Sequence, residues 1–279
     1  MLAFFKHKIL DKTNKKINSN RDILDSLSDV GLSRGNNEDS VITITHPGNP
    51  SLKLLAVADG VGGKENGEVA SSFAIDTLRE WFINTPGHKL ENSNYLKRNI
   101  EKTIKFINNF LYLAKNDECS TTLTCAVINA NDTIIANVGD SRAYIVTGEE
   151  MTQVTRDDSL VWYYYEQGEL SKDQIRFHKG SSLITKSIGS DLDVDPEISR
   201  IPNKNYKGLL LCTDGVTDCL SDSKLAQLVI RGRKSNLAQN IINEAVYGNP
   251  PKRAPKGKEF HIPMNGKDNA SVALYLKTS

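Results

Sequence analysis

The residues most able to do chemistry in this 279-residue chain are aspartates that stand where apolar runs end. Asp59 follows the run 54–58 and leads into Gly60-Val61-Gly62-Gly63. Asp214 follows the run 209–212 and Thr213 and leads into Gly215, with Asp218 one turn further on, and Asp268-Asn269 opens the run 271–275. Asp-Gly alone is a common turn dipeptide. The recurrence at three core-like strands points instead to a shared site, because a strand end projects its side chain from a rigid scaffold and the glycine lets a carbonyl turn toward a ligand.

Converging carboxylates repel one another and stay ionised together only around cations, and hard divalent ions with oxygen ligands suit them best. Mg2+ or Mn2+ fits better than Zn2+, since His7, His46, His88, His178 and His261 lack zinc-like spacing and read as surface residues. Two such ions about 3.5–4 Å apart lower the pKa of a bridging water and steady both oxygens of an in-line phosphoryl displacement, which makes a phosphate ester the natural substrate. Arg34, in Gly31-Leu32-Ser33-Arg34-Gly35-Asn36-Asn37-Glu38-Asp39, can supply a bidentate fork for its equatorial oxygens. The glycines over 60–67 match neither nucleotide-cradle pattern, and no CxxxxxR loop or GxSxG elbow offers a covalent nucleophile, so water remains the nucleophile.

Alternating and helical periodicities define the elements that must position these groups. Paired strands are expected over 41–45 and 52–58, then two successive helices, one over 70–81 and one over 96–114. Strands follow over 121–128, 133–138 and 143–147, whose short turns predict antiparallel pairing throughout, including a structural hairpin at Gly139-Asp140-Ser141-Arg142 in which Asp140 caps local backbone donors. A short helix over 160–166, a buried strand over 209–212, helices over 224–231 and 237–246, and a closing strand over 271–275 complete the pattern. Runs of strands and runs of helices indicate an α+β protein.

The chain carries 38% hydrophobic and 25% charged residues, which excludes disorder throughout, and its net charge of +1 gives no global field for nucleic acid or an acidic membrane. Cys119, Cys125, Cys212 and Cys219 form no CxxC pair and read as reduced thiols of a cytoplasmic protein. The apolar stretch at the start is too short for a signal peptide, and no run approaches the roughly 18 apolar residues of a membrane span. Residues 1–24 read as a solvated basic leader, residues 25–279 as one catalytic domain, and residues 248–267 as a long surface loop.

In order along the chain, the Gly31 to Asp39 segment, Val57-Ala58-Asp59-Gly60-Val61-Gly62-Gly63, Ser120-Thr121-Thr122-Leu123, Val138-Gly139-Asp140-Ser141-Arg142-Ala143-Tyr144, Cys212-Thr213-Asp214-Gly215-Val216-Thr217-Asp218 and Asp268-Asn269 resemble the metal-dependent serine/threonine phosphatases of the PPM or type 2C family, bacterial type. The resemblance implies two packed antiparallel sheets, a β-sandwich flanked by pairs of helices, with two Mn2+ or Mg2+ ions at one end. It implies that Asp59 bridges both ions, that the Gly60 carbonyl binds one, and that Asp214 and Asp268 hold the other. Arg34 would clamp the phosphate, and Glu38 and Asp39 would act through waters held by the ions. A third, weaker ion is implied at Asp117 and Asp218 with Asp214. Substrates would be phosphoserine and phosphothreonine proteins attacked by a bridging hydroxide, opposing a Ser/Thr kinase, with the enzyme a monomer. Val61 stands where many relatives have a histidine, and Arg156-Asp157-Asp158-Ser159 lacks the frequent Asp-His-Ser. Two other classes are expected to behave differently: a catalytically silent binding module would bind a partner without metal, and a nucleotide-binding regulator would be protected by ATP.

Overall fold

In the computed structural model, which describes residues 22–61, 66–114, 119–232 and 234–277, strands apolar on both faces are covered on both sides. The elements run β1 (Ile23–Asp29), β2 (Asp39–Thr45), β3 (Lys53–Val61), α1 (Gly67–Asn84), α2 (Gly87–Leu90), α3 (Ser93–Leu113), β4 (Ser120–Thr121), β5 (Leu123–Ile128), β6 (Asp132–Val138), β7 (Arg142–Thr147) and β8 (Glu150–Gln153). They continue with α4 (Leu160–Glu166), β9 (Glu197–Pro202), β10 (Gly208–Cys212), α5 (Asp214–Thr217), α6 (Asp222–Arg231), α7 (Leu237–Tyr247) and β11 (Ala270–Leu276). One antiparallel sheet has the order β1-β11-β10-β7-β8 and the other β2-β3-β5-β6-β9, with β4 paired to the end of β3.

Period-two alternation sorts the core into layers. On β3, Leu54, Ala56 and Ala58 pack toward α1 and α3 with Leu78, Phe82, Ile100 and Ile104. Leu55 and Val57 point the other way, to meet Leu209, Leu211 and Ala273 from the second sheet. On that sheet Leu210, Cys212, Val272 and Leu274 face α6 and α7 through Leu225, Val229, Ile241 and Ile242. The sandwich with a helix pair on each outer face is therefore built as the family resemblance implies. All four cysteines are free and buried, and burial pushes the Cys125 thiol up to about 12.

Several local expectations change. β1 begins at Ile23, inside the expected leader, and pairs with β11 from Ile23↔Leu276 to Asp29↔Ala270. Its sequence ILDSLSD has only modest strand propensity, and an edge position supplies the rest. β8, β9 and α2 also carried too few apolar residues to signal themselves. The strand expected over 121–128 is divided at Thr122 into β4 and β5, both paired to β3 in one register, and the Thr122 N–H donates to the Asp59 carbonyl at 2.8 Å. The hairpin expected at Gly139 is a crossing between sheets: β6 pairs with β5 and β9, whereas β7 pairs with β10 and β8. The short turn misled because a sandwich corner needs no more chain than a hairpin. His46, expected at the surface, is buried, its Nε2 3.0 Å from the Thr85 carbonyl and its Nδ1 accepting the Gly48 N–H at 3.1 Å.

Candidate active site

The ends of β3, β10 and β11 lie side by side in the two sheets, and their aspartates meet at one end of the sandwich. Asp59 stands opposite Asp39 in the β2–β3 register. Its backbone is clamped: the N–H donates to Thr122 Oγ1 at 3.0 Å, and the carbonyl accepts from Thr122 N at 2.8 Å and Thr121 Oγ1 at 3.0 Å. Gly60 follows because nothing larger fits, since a Cβ there would lie 2.2 Å from the Gly67 carbonyl oxygen and 2.7 Å from that of Glu38. The Gly60 N–H donates to that Glu38 carbonyl at 3.1 Å.

Asp214 is the first residue of α5, directly after β10 and Thr213. Thr213 Oγ1 donates to Asp39 Oδ2 at 2.9 Å and accepts the Ser271 N–H at 3.0 Å, so one hydroxyl joins β10, β2 and β11. The Asp59 and Asp214 carboxyls lie close enough for the charge of Asp214 to act on Asp59. Asp268 carries its charge toward both, and Arg34 Nη2 donates to Asp268 Oδ2 at 2.8 Å. Glu38 lies 4.0 Å from Arg34 Nη1. Asp59, Asp214, Asp268, Asp39, Arg34 and Glu38 are thus brought together. Asp218 joins them at the C-cap of α5, with Ser181 Oγ donating to its Oδ2 at 3.4 Å, while Asp117 lies outside the described residues.

Electrostatics mark the cluster as short of positive charge. Burial, then repulsion from Asp214 and Asp268, raises Asp39 to about 7. Burial, then Asp268, raises Asp214 to about 6, and burial with Asp214 raises Asp218 to about 8. Asp59 is raised well above the usual carboxylate range by burial and by Asp39, Asp214 and Asp140. Among the described residues, Asp39 Oδ1 and Asp214 Oδ1 are buried without a hydrogen-bond partner. Buried acceptors of this kind ordinarily find a donor or a cation. No three His, Cys, Asp or Glu side chains among the described residues form a ready-made cage, so the donor set fits ions that keep several waters, as Mg2+ and Mn2+ do.

Sequence reasoning missed three supports. Asn269 holds the Arg34 loop: its Oδ1 accepts the Glu38 N–H at 2.9 Å, and its Nδ2 donates to the carbonyls of Val30 at 2.9 Å and Asn36 at 3.0 Å. Gly31, at φ +77, closes the same loop, since a Cβ would meet the Asp268 carbonyl oxygen at 2.4 Å. Asp140, expected to cap its own turn, is buried and interacts with Asp214 and Asp218, raised by burial first. The third support is the base of the 157–190 segment, where Arg142 Nη2 grips Asp157 Oδ2 at 2.6 Å and Asp158 Oδ2 accepts the Gly139 N–H at 3.1 Å. The available signal was position, since Asp140 and Asn269 are polar residues beside the apolar runs 133–138 and 270–276.

A sequence profile described as Protein phosphatase 2C matches residues 33–246, and the chain belongs to that family. It is 30% identical over 248 residues to the serine/threonine phosphatase stp of Listeria innocua serovar 6a, covering 86% of this chain and 97% of that protein. It is 30% identical over 229 residues to the serine/threonine protein phosphatase PstP of Mycobacterium tuberculosis, covering 80% of this chain and 42% of that one. The crystal structure of serine/threonine phosphatase Stp1 from Staphylococcus aureus superposes with a TM-score of 0.78 at 28% identity, covering 94% of this chain and 98% of the other. The catalytic domain of PstP in complex with two manganese ions superposes at 0.72 with 26% identity, covering 91% and 97%.

Proposed function

We propose that this chain is a protein serine/threonine phosphatase that hydrolyses phosphoserine and phosphothreonine with two divalent cations, Mn2+ or Mg2+. The observation that carries the reading is the unpartnered buried oxygens of Asp39 and Asp214, in a cluster with Asp59 and Asp268 beside an arginine that is 48% exposed. The names of the family relatives and the two manganese ions of the PstP structure support it.

Asp59, Asp214 and Asp268, with the Gly60 carbonyl, would hold the ions. When bound, such a pair lowers the pKa of a shared water and offsets the charge of the in-line displacement. The protein's own part is positioning. The Thr121 and Thr122 contacts fix the Asp59 peptide, and Thr213 ties Asp39 to the neighbouring strands. Arg34, on a loop pinned by Asn269, would grip the phosphoryl oxygens beside the same carboxylates. Glu38 and Asp39 would orient waters held by the ions. Water is the nucleophile, since burial raises every cysteine thiol above its ordinary value and leaves it inert. Val61 has no proton to give, so leaving-group protonation falls to water.

A third, weaker ion would lie at Asp218 and Asp214, with Asp117 completing it. Among the described residues no helix is long and apolar enough to cross a membrane. We place the protein in the cytoplasm as a monomer, opposing a Ser/Thr kinase, with its catalytic domain starting at β1, two residues before the expected boundary at residue 25. Phosphate release from a phosphothreonine peptide tests the reading: turnover with MnCl2 and none with EDTA is expected, and equal release in EDTA would overturn it.

A further inference from the structure

We propose that the basic loop over residues 252–258 recognises anionic residues flanking the phosphoserine or phosphothreonine of a protein substrate, an inference that rests on the phosphatase reading above. Within 248–267 the chain has Lys252, Arg253, Lys256, Lys258 and Lys267 against a single acid, Glu259, although its overall net charge is only +1. The four cations from Lys252 to Lys258 are exposed, and none forms an ion pair with a described residue, whereas Arg34, Lys105, Arg156, Lys172, Arg200 and Lys224 all do. The segment before β1 cannot supply the complement, because Lys6, Lys8, Lys12, Lys15, Lys16 and Arg21 give it the same sign.

The loop is built into the rim of the site. Directly after Lys258, the Glu259 carbonyl accepts the Lys179 N–H at 2.8 Å, and His261 N donates to the Phe177 carbonyl at 2.8 Å. His178 and Phe260 form a β-bridge, with ring centroids 6.0 Å apart. This joins the loop to the segment whose Ser181 contacts Asp218. Further on, the Gly266 carbonyl accepts the Leu32 N–H at 2.6 Å, two residues before Arg34, and the chain then delivers Asp268 to the cluster. A peptide whose phosphate sits at Arg34 would extend by about 3.3 Å per residue, so residues a few positions from the phosphate would come within reach of this rim. Pro250, Pro251, Pro255 and Pro263 restrict the backbone on both sides of the cations, which lowers the ordering cost of engaging an anionic partner. Long-range attraction would also speed encounter with an acidic substrate.

The test compares fluorescent phosphothreonine peptides whose flanking residues are alanine, a pair of glutamates or a second phosphothreonine. Each phosphothreonine is replaced by its non-hydrolysable phosphonate, and binding to the wild-type protein and to the K252Q/R253Q/K256Q/K258Q variant is followed by anisotropy with Mn2+ present at low salt. Two or three exposed pairs should give the wild type a preference of about fivefold to thirtyfold for anionic flanks, which shrinks at high salt and disappears in the variant. Because a phosphomonoester carries about −1.5 to −2, a greater preference for the second phosphate than for a pair of glutamates identifies phosphate as the ligand, and equal preference identifies charge alone. A wild type indifferent to the flanks, or a variant that keeps the full preference, overturns the proposal. Mn2+-dependent hydrolysis of p-nitrophenyl phosphate by the wild type reports separately on the phosphatase reading, so either can fail without the other.

Discussion

Replacing Asp39 by asparagine should stabilise the metal-free protein at high pH. Asp39 is 7% exposed, and burial followed by its acidic neighbours raises its pKa from 3.8 to about 7. A carboxyl whose folded pKa lies above its unfolded value favours the fold fully below the unfolded value, and that contribution is lost as pH rises through the folded one. The gap amounts to at most about 4 kcal/mol at 1.36 kcal/mol per pH unit. Asparagine keeps the shape and the oxygen that accepts from Thr213, but carries no charge to desolvate. Urea unfolding in EDTA should therefore show D39N more stable than the parent by about 2–4 kcal/mol at pH 8 and nearly equal to it near pH 4. With Mn2+ the order narrows or reverses, because the parent gains about 2.7 kcal/mol at a hundredfold excess over Kd and the variant gains less. A D39N protein less stable than the parent at pH 8 in EDTA, or a difference independent of pH, would refute the reasoning.

Asp214→Asn should lower Mn2+-dependent hydrolysis by more than the roughly 100-fold that changes to outer-sphere partners can reach, with an unchanged far-UV spectrum, as steady-state kinetics and circular dichroism would show. Asn269→Ala removes three hydrogen bonds that fix the Arg34 loop, and should cost about 1–3 kcal/mol in urea unfolding and lower kcat/KM for phosphopeptides. Arg142→Leu leaves Asp157 buried without its partner and should destabilise by about 3–5 kcal/mol, whereas the double change with Asp157→Leu should recover much of that loss.

Most strands, and with them the α+β class, were legible because β3, β5, β10 and β11 are apolar almost throughout, as strands covered on both faces must be, whereas the sandwich itself came from the family resemblance. The aspartates were legible because each stands at the edge of an apolar run, although β3 continues through Asp59, Gly60 and Val61 to pair with β4 and does not turn at Gly60. β1 was hidden by its polar alternation, and β9 by having only Ile198 and Ile201 to signal it. The corner at Gly139 was misread because local sequence fixes a turn's length and leaves open which sheet the next strand joins. That choice moved Asp140 from a local cap into the acidic cluster. The roles of Asn269 and Thr213 depend on contacts 231 and 174 residues away in sequence, which no local pattern encodes.

Counting bound manganese gives the most direct test of metal binding by the clustered carboxylates. Calorimetric titration of Mn2+ into EDTA-treated, dialysed protein should give two ions per chain with release of protons at pH 7, and fewer or weaker sites in Asp59→Asn. A wild-type protein that binds no manganese, or an Asp59→Asn protein that binds both ions as tightly as the parent, would contradict a two-cation centre at Asp59, Asp214 and Asp268.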